Sequence, residues 1–164
     1  SIESPVPWSF DNPLPGWPLA ALGSENGYEV ILLTDTGRGA RLPAGEIPLR
    51  GYQLLNRAEE ERITGIVHAP PAGELLIVTA ERFARRLRVA WVPQPPKPNT
   101  KGKVLVSRRP VVGVAAVQPG RPVWTLTETD LLPLDHETIP GDEDTTKTYQ
   151  LRELPRGVKI CGLL

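Results

Sequence analysis

Methionine is absent from this 164-residue chain, and cysteine occurs once, at Cys161. A lone cysteine excludes an internal disulfide and fits a reducing cytoplasm, where the chain is expected to reside. With Ser1 first and no methionine, the sequence reads as a piece of a longer protein. No apolar run approaches the roughly 20 residues of a membrane-spanning helix. The opening SIESPVPWSFDNPLPGWP lacks the basic and apolar segments of a signal peptide. No membrane partner is expected.

Catalytic signatures are missing too. There is no G-x-x-x-x-G-K-[ST], no G-x-S-x-G and no H-E-x-x-H. His68 and His136 stand far apart and outside any metal-ligand spacing, so both are expected to be structural or surface residues. DHE (135–137) and DEDTT (142–146) lack the glycine and terminal glutamate of a calcium loop, and read as solvated acid. Cys161 reads as a small core residue of an apolar strand. Trp91 and Trp124 also read as core residues. No cofactor or metal is expected, and the chain is not expected to be an enzyme by itself.

Proline and glycine, by contrast, are plentiful. Nineteen prolines and 15 glycines are spread among strand-like runs, which indicates a turn-rich all-β domain and not a disordered one. The length suits a single domain with enough mass for a core. No stretch shows a sustained 3.6-residue apolar period. NRAEEERIT (56–64) comes nearest, and amounts to one helical turn at most.

The strand-like runs repeat. YEVILLTDTGRGARLPAGEIP (28–48), GELLIVTAERFARRLRVAWVP (73–93) and GRPVWTLTETDLLPLDHETIP (120–140) align without a gap, their starts 45 and then 47 residues apart. Each runs apolar strand, threonine (Thr34, Thr79 and, one register off, Thr125), polar turn, second strand and proline. The second strands carry Leu42, Leu87 and Leu134, and the prolines are Pro48, Pro93 and Pro140. YQLL (52–55), KVLV (103–106) and YQLR (149–152) follow. ITGIV (63–67), VVGVA (111–115) and ICGLL (160–164) close the repeats with Gly65, Gly113 and Gly162 in register.

Four short strands per unit at this period are the mark of a propeller blade. Three repeats are expected, at about 28–72, 73–119 and 120–164. They lie within a domain spanning 18–164 behind an N-terminal extension, 1–17. WPLAAL (17–22) is similar to the last strand of a preceding unit. Three blades are fewer than a closed propeller needs, so the ring is open, or other segments or copies complete it.

The series LLT–polar–G–basic–A–R–L–P, E-I-P, basic stretch and V-x-G-V strand resembles the C-terminal repeat of DNA gyrase A and of its topoisomerase IV counterpart. ILLTDTGRGARLPAGEIP (31–48) carries it best, and VVGVAAV (111–117) and RGVKICGLL (156–164) match the closing strand. The resemblance implies a β-pinwheel, propeller-like with strands swapped between blades, whose basic rim bends and wraps double-stranded DNA beside a strand-passing core. It also implies a cytoplasmic, nucleoid-associated place and a topoisomerase catalytic core as a partner. The glutamine–arginine–glycine box of the gyrase form has no match here, since residues 50–62 read RGYQLLNRAEEER. The family has commonly five or six repeats, so the resemblance implies a reduced or divergent pinwheel. No tyrosine is placed as a strand-cleaving nucleophile: Tyr28, Tyr52 and Tyr149 all occupy strand-like repeat positions.

Charge distribution points the same way. Nineteen basic residues balance 19 acidic ones, yet residues 82–125 hold ten cations and no acid, leaving −10 for the rest. A basic arc can meet a phosphate backbone while the remainder repels it. The candidate DNA-binding residues are Arg38, Arg41, Arg82, Arg85, Arg86, Arg88, Lys97, Lys101, Lys103, Arg108 and Arg109. Nothing suggests base reading, so backbone contact and bending are expected. Cations on strand edges also discourage edge-to-edge pairing. The alternative function is a protein-interaction propeller whose charged arc meets an acidic protein partner.

Overall fold

The computed structural model describes residues 25–48, 50–141 and 146–164. Residues 17–22, the N-terminal extension and most of the 142–146 acidic loop lie outside them. Among the described residues the regular structure is strand, with short 3₁₀ turns and no α-helix. None of these residues forms a helix long and apolar enough to cross a membrane.

Three antiparallel sheets follow one another along the chain. In the first, β1 (Glu29–Thr34) pairs with both β2 (Arg38–Pro43) and β3 (Ile63–Ala69). The second repeats this with β4 (Glu74–Thr79), β5 (Phe83–Arg88) and β7 (Val111–Val117). The third has β8 (Val123–Thr127), β9 (Leu131–Leu134) and β11 (Ile160–Leu163). A 3₁₀ turn follows each second strand, at Ala44–Glu46, Val89–Trp91 and His136–Thr138.

The fourth strand of a blade comes from the next repeat. β6 (Lys103–Val104) pairs with β2, and β10 (Tyr149–Gln150) pairs with β5. The strand swap implied by the resemblance is therefore present. Blade 3 has no such strand among the described residues. Residues 52–55, the matching segment of the first repeat, form only an isolated bridge between Leu55 and Thr100.

The core lies between blades. β3 packs on β7, and β7 on β11. Ile31 and Leu33 of blade 1 join Leu75, Ile77, Leu87, Val92, Leu105 and Val106 in one buried cluster. Leu76, Val78 and Ala84 of blade 2 join Val123, Leu134, Ile139, Leu151 and Ile160 in the next. Strand alternation gives each blade one face toward its predecessor and one toward its successor.

The turn threonines act alike. Thr34 Oγ1 accepts the Arg38 N–H and Thr79 Oγ1 the Phe83 N–H, both at 3.2 Å. In the third hairpin Thr127 does this work, accepting the Asp130 N–H at 2.9 Å. Thr125 instead bonds the Leu132 carbonyl. The ungapped alignment is corrected here. Leu33 pairs with Gly39 and Val78 with Ala84, but Leu126 pairs with Leu131, so the third turn is one residue shorter. Gly37 (φ +82°) and Arg82 (φ +63°) hold the left-handed position of the longer turns.

Two expected core residues are not core. Cys161 is exposed, because the register slips between Ile160 and Gly162 and turns it outward. Trp124 is exposed on the successor-facing side of β8. His136 is buried, with Nε2 3.0 Å from the Gln118 carbonyl oxygen. His68 lies half-buried against Tyr28. Residues 56–62 form a loop with a turn at 59–60, and 63–64 already belong to β3, so this stretch contains no helix.

Candidate nucleic-acid interface

Five of the eleven candidate cations are engaged within the protein. Arg41 Nη1 meets Glu29 Oε1 at 2.8 Å while its Nε donates to the Val92 carbonyl at 2.7 Å. One repeat later Arg86 meets Glu74 Oε2 at 2.7 Å and donates to the Ile139 carbonyl at 3.4 Å. In both, a Glu–Arg pair within one blade reaches the backbone of the following blade, so these arginines act as staples. Val92 and Ile139 occupy the same repeat position, each directly before a proline.

Arg85 is buried, 2% exposed, and donates to the Leu105 carbonyl at 2.6 Å. Arg82 reaches across its turn to the Leu154 and Pro155 carbonyls, at 3.3 and 3.1 Å. Of the four arginines at 82, 85, 86 and 88, only Arg88 faces solvent. That residue is exposed, its guanidinium 5.6 Å from the centre of the Trp91 ring.

Arg38 is engaged as well, but at a surface cleft. Its Nε donates to Glu61 Oε1 at 2.8 Å, its Nη2 meets Glu61 Oε2, and its Nη1 donates to the Lys101 carbonyl. Glu61 also accepts from the Thr36 hydroxyl and from the Ala58 N–H at 3.1 Å. The Arg38 hydrogen bonds hold the Glu61 carboxyl far below the usual carboxylate range. Burial opposes this, and the threonine and Ala58 bonds reinforce it. Reciprocally, the Glu61 hydrogen bond raises the Arg38 guanidinium.

Around this pair opens a cleft of about 650 Å³ lined by Thr36, Arg38, Asn56, Arg57, Glu60, Lys101 and Arg109, among others. Four cations and two carboxylates (Glu60 and Glu61) line it, and Arg38 already compensates Glu61. Lys103 lies two residues beyond Lys101 on the swapped strand β6, at the outer edge of blade 1. Arg108 stacks on Phe83, 3.7 Å from its ring centre, beside Arg109. Arg108, Arg109, Lys97, Lys101 and Lys103 are exposed. The structure thus gathers Lys101 and Arg109 at one cleft, with Lys103 and Arg108 adjoining. It does not place Arg88 or Lys97 among the cleft's lining residues.

Sequence reasoning missed Arg57, which lines the cleft and donates to the Glu61 carbonyl at 2.9 Å. It also missed Glu61, one of the three consecutive glutamates at 59–61. A cation two residues before those glutamates was the available signal for Arg57. Among the described residues no group of three or more His, Cys, Asp or Glu side chains is placed to hold a metal.

No family model matches the sequence, and no curated protein does either. Solved structures do share the fold. The C-terminal domain of DNA gyrase A matches 84% of this chain over 50% of its own length, with 15% identity and a TM-score of 0.68. The C-terminal domain of DNA topoisomerase IV matches 85% over 46%, with 13% identity and a TM-score of 0.71. The all-β, open, strand-swapped pinwheel expected from the sequence is the fold of this chain. The chain spans about half the length of either domain.

Proposed function

We propose that this domain binds duplex DNA through the phosphate backbone, without base reading, and that it bends or wraps the duplex as a non-catalytic accessory to a topoisomerase core. The observation that carries the proposal is the set of exposed cations Lys101, Lys103, Arg108 and Arg109, which crosses from swapped strand β6 to the turn before β7 on the outer side of the fold. Arg57 and the paired Arg38 extend it into the cleft. Arg88 and Lys97 are further exposed positions that a wrapped duplex can reach. Arg41, Arg82, Arg85 and Arg86 support the blades that present this edge.

The fold shared with the DNA gyrase A and topoisomerase IV C-terminal domains favours DNA as the anionic partner. Lysine and arginine at a strand edge contact phosphates with little demand on sequence.

A gel-shift assay with unrelated duplexes tests the reading. Binding is expected for each duplex, and loss of it in the Lys101→Glu/Lys103→Glu/Arg109→Glu variant with its melting unchanged. A parent that binds no duplex, or a variant that binds as the parent does, overturns it. Reversing Arg85 and Arg86 instead would test stability, since both hold blades together.

A further inference from the structure

Every described contact between blades follows one rule, and blade 3 displays one half of it to solvent. In blade 1 the successor-facing side chains Ile31 and Leu33 are buried against blade 2. In blade 2, Leu76, Val78 and Ala84 are buried against blade 3. The equivalents in blade 3, allowing for its shorter turn, are Trp124, Leu126 and Leu131. They are 41%, 43% and 48% exposed, and Leu164, paired with Trp124, is 72% exposed. A contiguous apolar patch of this kind marks an interaction site.

The closing-strand glycines show what belongs there. A Cβ at Gly65 would overlap Val114 Cγ1 of the next inner strand, and one at Gly113 would lie 3.1 Å from the Leu163 backbone nitrogen. No described residue lies within 4 Å of such a Cβ at Gly162. The third glycine keeps room for an inner strand that the described residues do not supply. Among the described residues β9 likewise has no fourth strand, although β2 and β5 have theirs.

The complementary half stands at the other end of the arc. Ala40, Leu42, Leu54 and Leu55, with Leu32, Tyr52 and Ile63 against them, form the predecessor-facing cluster of blade 1. It matches the clusters at the two internal junctions but has no contribution from a preceding blade among the described residues. Its donor segment Tyr52–Gln53–Leu54 has the same sequence as Tyr149–Gln150–Leu151, the stretch that completes blade 2 through β10. The backbone of residues 53–56 pairs with that of Asn99 and Thr100 and with no described blade strand, while the Arg38 side chain of β2 donates to the Asn56 carbonyl at 3.2 Å.

We infer that the successor-facing side of blade 3 receives blade 1 of a second copy of this chain, and that two three-bladed arcs close head to tail into one ring. Two observations select a second copy. The front that fits is present on the chain itself, including a donor segment of the right sequence. The chain also matches 50% and 46% of two solved domains of the same fold, so two copies supply the blades of one such domain. Identical head-to-tail contacts close a ring when the rotation between copies is right, and two equal halves meet that condition through a two-fold axis.

The test is the mass of the full 164-residue chain in solution, by light scattering and sedimentation, for the parent, Gly162→Val and Leu126→Glu. Both substitutions fall where the described residues leave open space or solvent, so the far-UV spectrum of each variant should match the parent. The expected result is a discrete dimer for the parent and at least a tenfold weaker dimer for each variant. A monomeric parent overturns the inference. So does a parent that grows into open polymers, or a dimer that both substitutions leave intact.

Discussion

Arginine in this chain does three different jobs, and residue type alone does not separate them. Within FARRLR, Arg85 is buried on a backbone carbonyl, Arg86 is paired with Glu74 and Arg88 faces solvent. The staples were legible in principle: Arg41 and Arg86 each have a glutamate 12 residues earlier, and the third repeat has Pro122 and Pro133 at the corresponding paired positions. The burial of Arg85 was not legible, because its acceptor at Leu105 lies 20 residues away on a swapped segment. Glu61 is the residue on which the cleft turns. Glu61→Ala would leave Arg38 without its carboxylate and is expected to cost about 3 kcal/mol in urea unfolding. Glu61→Gln should cost less, since it keeps two of the polar contacts. The pH dependence has a definite sign. A carboxyl whose pKa falls on folding adds stability above its unfolded pKa of about 4.3 and loses it as pH drops toward the folded value. The parent should therefore be destabilised progressively below about pH 4.5, and Glu61→Gln should flatten that part of the profile measured by thermal melting.

At the scale of elements, local chemistry placed the first two strands of each repeat, the threonine turns and the glycine-bearing closing strands. It misassigned the register of the third hairpin, where a turn shorter by one residue moves the threonine position from 126 to Thr127, and Thr125 was matched in its place. An ungapped alignment hides such a shift because a neighbouring threonine is there to be matched. The pairing of β6 with β2 and of β10 with β5 could not be read from the pattern, since each swapped strand is only two residues long and its partner belongs to another repeat. Two consequences are measurable by chemical denaturation. Arg41→Ala and Arg86→Ala should each cost about 1 kcal/mol, modest because both pairs are partly solvated. Gly113→Val should cost about 2 kcal/mol or more, because the added atoms meet Leu163. If Arg86→Ala were neutral, the staple would carry no weight between blades 2 and 3.

For the whole molecule, three repeats in sequence correctly indicated an arc with fewer blades than a closed ring. The zero net charge concealed a basic edge, because most acids sit elsewhere and Glu61, one of the two carboxylates in the cleft, is spent on Arg38. What remains exposed is smaller than the cation count suggested, and it centres on Lys101, Lys103, Arg108 and Arg109. The role proposed for it, binding the DNA backbone, is tested most directly by the salt dependence of duplex affinity. Each neutralised phosphate adds about 0.9 to the slope of log K against log salt. The parent should show a steep slope, and Lys101→Ala/Lys103→Ala/Arg109→Ala should reduce it by about 2 to 3, equally on unrelated duplexes. An unchanged slope in that variant would contradict the account.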